Sequence, residues 1–360
     1  MSAFFERHAR TIILVIMLGC VIAYMIMTRV QDSGNTPGQS NTRSDVLRAP
    51  VEMRHAVIAN PEAVAQWCEA GDSSFRFLRE SGITCVVLTT AAWHPDPESP
   101  QLEYSSSSIR MLSRIVHSPA AAGFTFGVMP VLVDIEGCPT MPKLRDESDI
   151  QRFYGFYDMW LDDAIRACSG TEGCFVVDNE LGFPQRSASS ILSSLEKLKQ
   201  SHRASVIRNT GSGDVYLFWQ VIDGAAVNWF EMTAGSGADD AMPDSLTAYA
   251  LLPYWSDLPV ALWGFDGGIA LDAPFRPRVI TGGNMKPPLP VRQISDSVLL
   301  RCSRVPQVRA FWFSLSSVSG PDGRVSNDRC MHAARIIHEF NSRRSAGPNA
   351  SGIPELKAVR

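Results

Sequence analysis

The sequence predicts an α/β fold, a closed (β/α)8 barrel preceded by one N-terminal transmembrane helix, and three observations predict it. Between residues 51 and 341, short apolar and β-branched runs alternate with longer segments of helical spacing, the signature of repeated βα units around a parallel sheet. Eight such units can be counted, which is the number a TIM barrel requires. Ahead of them, residues 11–27 read TIILVIMLGCVIAYMIM without a charge, at the short end of the roughly 17–25 residues a helix needs to cross a bilayer.

Taken in chain order, Arg7 and Arg10 precede the apolar run and Arg29 follows it. That balance favours residues 1–10 in the cytoplasm, residues 11–28 as the anchor, and the remainder outside, periplasmic or extracellular. An uncleaved single-pass anchor is preferred to a cleavable signal peptide, because the run is long and no A-x-A-like site follows it. Met17-Leu18-Gly19-Cys20 departs from a lipoprotein box in its bulky Leu18. Residues 29–50 are rich in Ser, Asn and Gly and lack periodicity, so they read as a flexible tether. Residues 342–360 have the same character and read as a disordered tail.

Within residues 51–341, strands are expected at 54–59, 84–89, 125–133, 174–178, 205–209, 225–230, 260–263 and 308–315. The helices that follow them begin near Pro61, Ser106, Ile150, Ala188, Asp214, Asp244, Gln293 and Asn327. Pro61 suits a first helical turn, where a missing N–H costs nothing. A doubly wound open sheet is the competing architecture, and the absence of a G-x-G-x-x-G or P-loop after the first strand counts against it.

The bulk composition narrows the function. A hydrophobic share of 45% with 19% charged residues supports a sizeable core, and a net charge of -4 offers no basic stripe for nucleic acid. Eight cysteines include Cys20 in the anchor. Outside the cytosol a bridge between Cys168 and Cys174 is permitted, and buried thiols are the equal alternative. No Cys or His cluster has metal-ligand spacing, so no metal or organic cofactor is expected.

In such a barrel the chemistry sits at the C-terminal ends of strands and in the loops after them. Those positions carry Trp93 and His94 after the second strand, Asp134 after the third, Asn179 and Glu180 after the fourth, and Asn209 after the fifth. Trp229 and Glu231 lie at the sixth, Asp266 follows the seventh, and Trp312 lies within the eighth. Glycosidic bonds are cut by two carboxyl groups, one protonating the leaving oxygen, the other attacking the anomeric carbon or activating water. Glu180, Glu231, Asp134 and Asp266 supply carboxyls, and Trp93, Trp219, Trp229 and Trp312 supply rings for stacking. For each ring, packing within the barrel is the ordinary alternative.

The segment CFVVDNELG, with Asn179-Glu180 at the end of an apolar run, is similar to the Asn-Glu pair of clan GH-A glycosidases. TTAAWHPDPESPQLEYSS and GFTFGVMPVLVD resemble the second and third strands of glycoside hydrolase family 113, the endo-β-mannanase-like barrels. YLFWQVIDGAAVNWF, DLPVALWGFDGG and VPQVRAFWFSL are similar to that family's segments leading through the sixth, seventh and eighth strands. The resemblance implies that Glu180 is the acid/base, that Asn179 contacts the sugar 2-hydroxyl, and that the substrate is a polysaccharide or oligosaccharide.

Two departures stand out. The family's seventh strand ends in a nucleophilic Glu, whereas here Gly264 holds that position and Asp266 is the nearest carboxylate. The family's Trp-Arg-Gly motif after the third strand is replaced by Asp134-Ile135-Glu136-Gly137. The expectation is therefore a membrane-anchored β-glycosidase with Glu180 and Asp266 as the catalytic pair. Asn179, Trp93, His94, Asp134, Asn209, Trp229, Glu231 and Trp312 are its candidate substrate contacts. The alternatives are an inactive barrel that binds glycan or scaffolds a polysaccharide synthesis or export complex, and an unrelated barrel hydrolase that uses Glu231 or Asp134.

Overall fold

A computed structural model of the chain describes residues 52–134, 140, 142–168, 174–178, 188–202, 204–210, 221–228, 258–263, 299, 302–303, 305, 307–320 and 323–345. Eight of the described strands run parallel and close a ring: β1 (Ala56–Ala59), β2 (Cys85–Trp93), β4 (Thr125–Val133), β5 (Phe175–Asp178), β6 (Ser205–Thr210), β7 (Gly224–Asn228), β8 (Val260–Trp263) and β9 (Val308–Ser314). Closure is made at β1, which pairs with β2 on one side and with β9 on the other. A short strand, β3 (Glu103–Tyr104), lies antiparallel on the end of β2. The TIM barrel expected from the sequence is present, with its eight strands within a few residues of their expected bounds.

Alternation along each strand divides the core in two. Ala56, Ile58, Val87, Met129, Val131, Phe175, Ile207, Ala226, Ala261, Ala310 and Trp312 fill the barrel interior. Val57, Val86, Leu88, Phe126, Val128, Val176, Val206, Leu262, Phe311 and Phe313 face the helices. Among the described residues two large rings occupy the interior: Phe175 and Trp312 stack with centroids 6.0 Å apart and planes 24° from parallel. Small residues around them make room. A Cβ on Gly127 would overlap the Phe175 ring, and Ala56, Ala226, Ala261 and Ala310 leave space on the other walls. The register changes once, between Val260 and Ala261 of β8, whose partners on β9 are Val308 and Ala310. That bulge carries Arg309 outward to solvent and returns Ala310 to the interior.

The helices pack on the outer face. α1 (Pro61–Trp67) begins as expected, with Asn60 accepting from the Ala63 N–H at 2.7 Å and Pro61 in the first turn. α2 (Ser74–Glu80) has no counterpart among the expected helices. α3 (Ser106–Val116) and α5 (Ala188–His202) start where periodicity places them. α4 (Glu147–Cys168) starts three residues before Ile150, because the Asp146 carboxylate caps the Ser148 N–H at 2.8 Å. A short helix, α6 (Leu315–Val318), follows β9 directly. α7 (Asn327–Ser345) runs past residue 341 into the stretch expected to be disordered tail. Its last turn is held because Arg344 donates to the Val308 carbonyl at 2.7 Å and lies over the Phe340 ring, and cationic residues suit a helix C-terminus. The expected helices beginning at Asp214, Asp244 and Gln293 lie outside the described residues, apart from helical positions at Leu299, Cys302 and Ser303.

Two buried polar contacts tie the outer layer to the barrel base. Lys199 of α5 donates to the Val221 carbonyl at 2.9 Å and to Asp223 at 2.8 Å, while Asp223 accepts from the Val206 N–H at 2.8 Å. With these partners supplied, the pair tolerates near-complete burial. His55, just before β1, accepts from the Phe311 N–H at 3.1 Å and stacks on that residue's ring. Burial lowers its pKa to about 4. Cys68, Cys85, Cys168, Cys174, Cys302 and Cys330 are thiols. Cys168 shares a hydrogen bond with Cys174, and that contact together with burial holds its thiol well above the usual range.

The apolar segment at residues 11–27 and the tether at 29–50 lie outside the described residues, and among the described residues no helix is long and apolar enough to cross a membrane.

Replacing Gly127 with Ala pushes a methyl group into the Phe175 ring, and the expected cost is about 1–3 kcal/mol, read from denaturant unfolding. His55 is held neutral in the folded chain, so the unfolded chain binds the extra proton between its ordinary pKa and the lowered one. Stability is therefore expected to be full above about pH 6.5 and to fall by roughly 2–3 kcal/mol as the pH drops toward 4. Unfolding midpoints across that range should lose this slope in His55→Gln.

Candidate functional site

Parallel strands finish at one end of the barrel, and the residues that leave them there define its mouth. β2 and β4 run to it together: all nine residues of β2 pair in unbroken register, from Cys85 against Thr125 to Trp93 against Val133. Sequence pattern alone ends this strand at Thr89. Its continuation through Thr90, Ala91 and Ala92 is not legible there, because alanine has weak strand preference; pairing with β4 overrides that preference.

Unbroken register sends neighbouring residues to opposite faces. Trp93 shares the parity of Cys85 and Val87, which face the barrel interior, and its ring reaches the rim 43% exposed. His94 has the opposite parity and is fully buried on the helix side, its ring centroid 5.0 Å from that of Phe153 on α4. Its Nε2–H donates to the Ser99 carbonyl at 2.8 Å, which sets the tautomer, and its backbone N–H donates to the Val133 carbonyl at 2.7 Å. Its Nδ1 is buried and has no hydrogen-bond partner among the described residues. The two adjacent residues expected to meet substrate together are thus divided by the sheet: His94 fastens the loop, and Trp93 stands at the mouth.

Asp134 follows Val133, the partner of Trp93, and so lies at the rim, half-buried. Asn209 has the interior parity of Ile207 on β6 and is 2% exposed, in register with Ala226 of β7. Trp312 is placed deeper. It pairs with Ala56, the first residue of β1, and donates its indole N–H to the Arg54 carbonyl at 3.3 Å, near the opposite end of the barrel from the mouth. A ring that is fully buried against Phe175 offers no face to a sugar, so in this structure Trp312 packs the interior. Position along a strand does not reveal this, because strand stagger around a closed barrel sets the depth of each residue.

Asn179, Glu180, Trp219, Trp229, Glu231 and Asp266 lie outside the described residues. The strands before the catalytic candidates are described. β5, fourth in the ring, ends at Asp178, whose next two residues in the sequence are Asn179 and Glu180. β8, seventh in the ring, ends at Trp263, followed in the sequence by Gly264, Phe265 and Asp266.

One rim residue is absent from the candidates that the sequence supplies. β3 brings Glu103 opposite Trp93, and Tyr104 opposite Ala92. The signal available was slight, a two-residue strand after a loop with three prolines. Tyr104 donates to Asp163 on α4 at 2.7 Å and holds β3 against that helix. Among the described residues, no group of three or more His, Cys, Asp or Glu side chains is placed to hold a metal ion.

This arrangement, a closed ring of eight parallel strands around a packed interior, defines the class: a (β/α)8, or TIM, barrel. Within that class the fold is similar to that of solved structures of glycoside hydrolase family 113 β-1,4-mannanases. One such mannanase superposes with a TM-score of 0.54 at 12% identity, over 81% of this chain and 100% of its own. A second, solved as a complex, gives 0.53 at 11% identity over 82% and 100%. The β-mannanase from Alicyclobacillus acidocaldarius in complex with ManMIm gives 0.51 at 12% identity over 81% and 98%. At these identities the likeness is one of fold. No family model matches the chain, and no curated protein matches it in sequence.

His94→Phe keeps a ring against Phe153 and removes the donor to Ser99. The expected loss is about 1–2 kcal/mol of stability, with faster amide hydrogen exchange confined to residues 96–104.

Proposed function

We propose that the chain is a membrane-anchored glycoside hydrolase that cleaves β-glycosidic bonds in an envelope or exported polysaccharide, with Glu180 as its acid/base. The observation that carries this reading is that β5, the fourth strand of the closed ring, ends immediately before Asn179-Glu180 in the sequence. That is the position at which chemistry is built in such barrels. The fold shared with β-1,4-mannanases supports a carbohydrate substrate. The uncharged run at residues 11–27 supports attachment to a membrane, with the barrel outside the cytoplasm.

In this reading Glu180 protonates the leaving oxygen and then takes a proton from water. In a retaining version Asp266 forms the glycosyl-enzyme, and in an inverting version it activates water. The two differ in carboxyl separation, about 5–5.5 Å against about 6.5–9.5 Å. Neither needs a metal or an organic cofactor. Asn179 and Trp93 are the substrate contacts the reading favours, joined by Asp134, Asn209, Trp229 and Glu231. A second reading is favoured by Gly264, which stands where the related family carries its nucleophilic Glu: a barrel that binds glycan without cutting it, within a synthesis or export complex.

The two readings separate in one assay. The full-length chain in detergent is given β-mannans, β-glucans and native envelope polysaccharide, alongside Glu180→Gln. Hydrolysis by the wild type, with kcat lowered about 10²–10⁴-fold in the variant, is the expected result. Binding without release of reducing ends by either protein would leave the non-catalytic reading standing alone.

A further inference from the structure

We propose that Trp93 and Glu103 together form a saccharide subsite at the rim, the indole lying under the apolar face of one pyranose ring and the carboxylate accepting from two of its hydroxyls. This rests on the reading of the chain as a glycan-active barrel, and it adds Glu103, which no part of that reading contains.

The register places the two side chains together. Trp93 and Glu103 are direct partners in the antiparallel pair of β2 and β3, so they project from the same face with Cβ atoms about 4.5–5.5 Å apart. That face is the one turned toward the barrel axis, since Trp93 continues the inward parity of Cys85 and Val87. The opposite face is occupied: Ala92 is buried, and Tyr104 is fastened to Asp163. Glu103 is exposed, and so is Trp93 at 43%, whereas Trp67, Trp160 and Trp312 are buried to 1% or less.

A single exposed aromatic ring on a protein surface needs no explanation. A ring paired with a carboxylate on one rigid face of a barrel mouth matches the chemistry of a sugar, whose C–H face is apolar and whose rim is a ring of hydroxyl donors. An indole supplies a large flat contact with few rotors to freeze. A carboxylate offers two acceptor oxygens to neighbouring hydroxyls. The support is already ordered. His94 is bonded to the Ser99 carbonyl, and the Lys143 N–H donates to the Pro97 carbonyl at 2.7 Å. Binding therefore need not order the hairpin.

The test is calorimetric titration of the full-length chain in detergent with soluble β-1,4-linked manno- and gluco-oligosaccharides. Trp93→Ala is expected to weaken binding about tenfold or more, Glu103→Gln about three- to tenfold, and Trp93→Phe less than Trp93→Ala. Unfolding midpoints should not move, because both side chains are exposed. Unchanged affinity in either Trp93→Ala or Glu103→Gln, with a wild type that binds, overturns the paired subsite and leaves the glycan-active reading intact. A wild type that binds none of these oligosaccharides overturns the subsite, and the glycan-active reading falls with it only if native envelope polysaccharide is not bound either.

Discussion

Everything described at the mouth depends on how the barrel interior is filled. Eight strands close only if the side chains pointing inward occupy the enclosed volume, and here two large rings, Phe175 and Trp312, stack within it. Gly127 and the alanines at 56, 226, 261 and 310 yield the space those rings need. Interiors are close-packed, so large and small residues on facing strands are coupled choices. The Arg54 carbonyl fixes the Trp312 indole from below. With the base plugged, the ring of strands is rigid and its rim becomes a platform.

The rim itself is shaped by the pleat of one strand. Because β2 pairs with β4 without a bulge, Trp93 and His94 are forced to opposite faces although they are adjacent in sequence. One residue stays available to a ligand, and the other secures the loop that supports it. The same rule, carried across to β3, sets Glu103 beside Trp93 and turns Tyr104 toward α4. A one-residue slip in this register would exchange all of these roles.

Below the rim, two buried polar sites are paired. Lys199 and Asp223 bond each other, the Val221 carbonyl and the Val206 N–H, and His55 gives its lone pair to the Phe311 N–H. These contacts join α5 and β9 to the base of the barrel, away from the mouth. Changes in them act on stability, whereas changes at the rim act on binding.

The eight strands were legible in the chain because parallel strands buried on both faces read as continuous apolar runs, and Pro61 marked the start of the first helix. The charge-free run at residues 11–27, the net charge and the Asn179-Glu180 motif likewise belong to the sequence alone. The tertiary structure decided what pattern cannot encode. Strand stagger set the depth of Trp312, pairing with β4 carried β2 on to Trp93, an antiparallel partner delivered Glu103, and a carbonyl held the last turn of α7. Each is a contact between residues far apart in the chain or on different strands, and local spacing holds no information about which neighbour a side chain will meet.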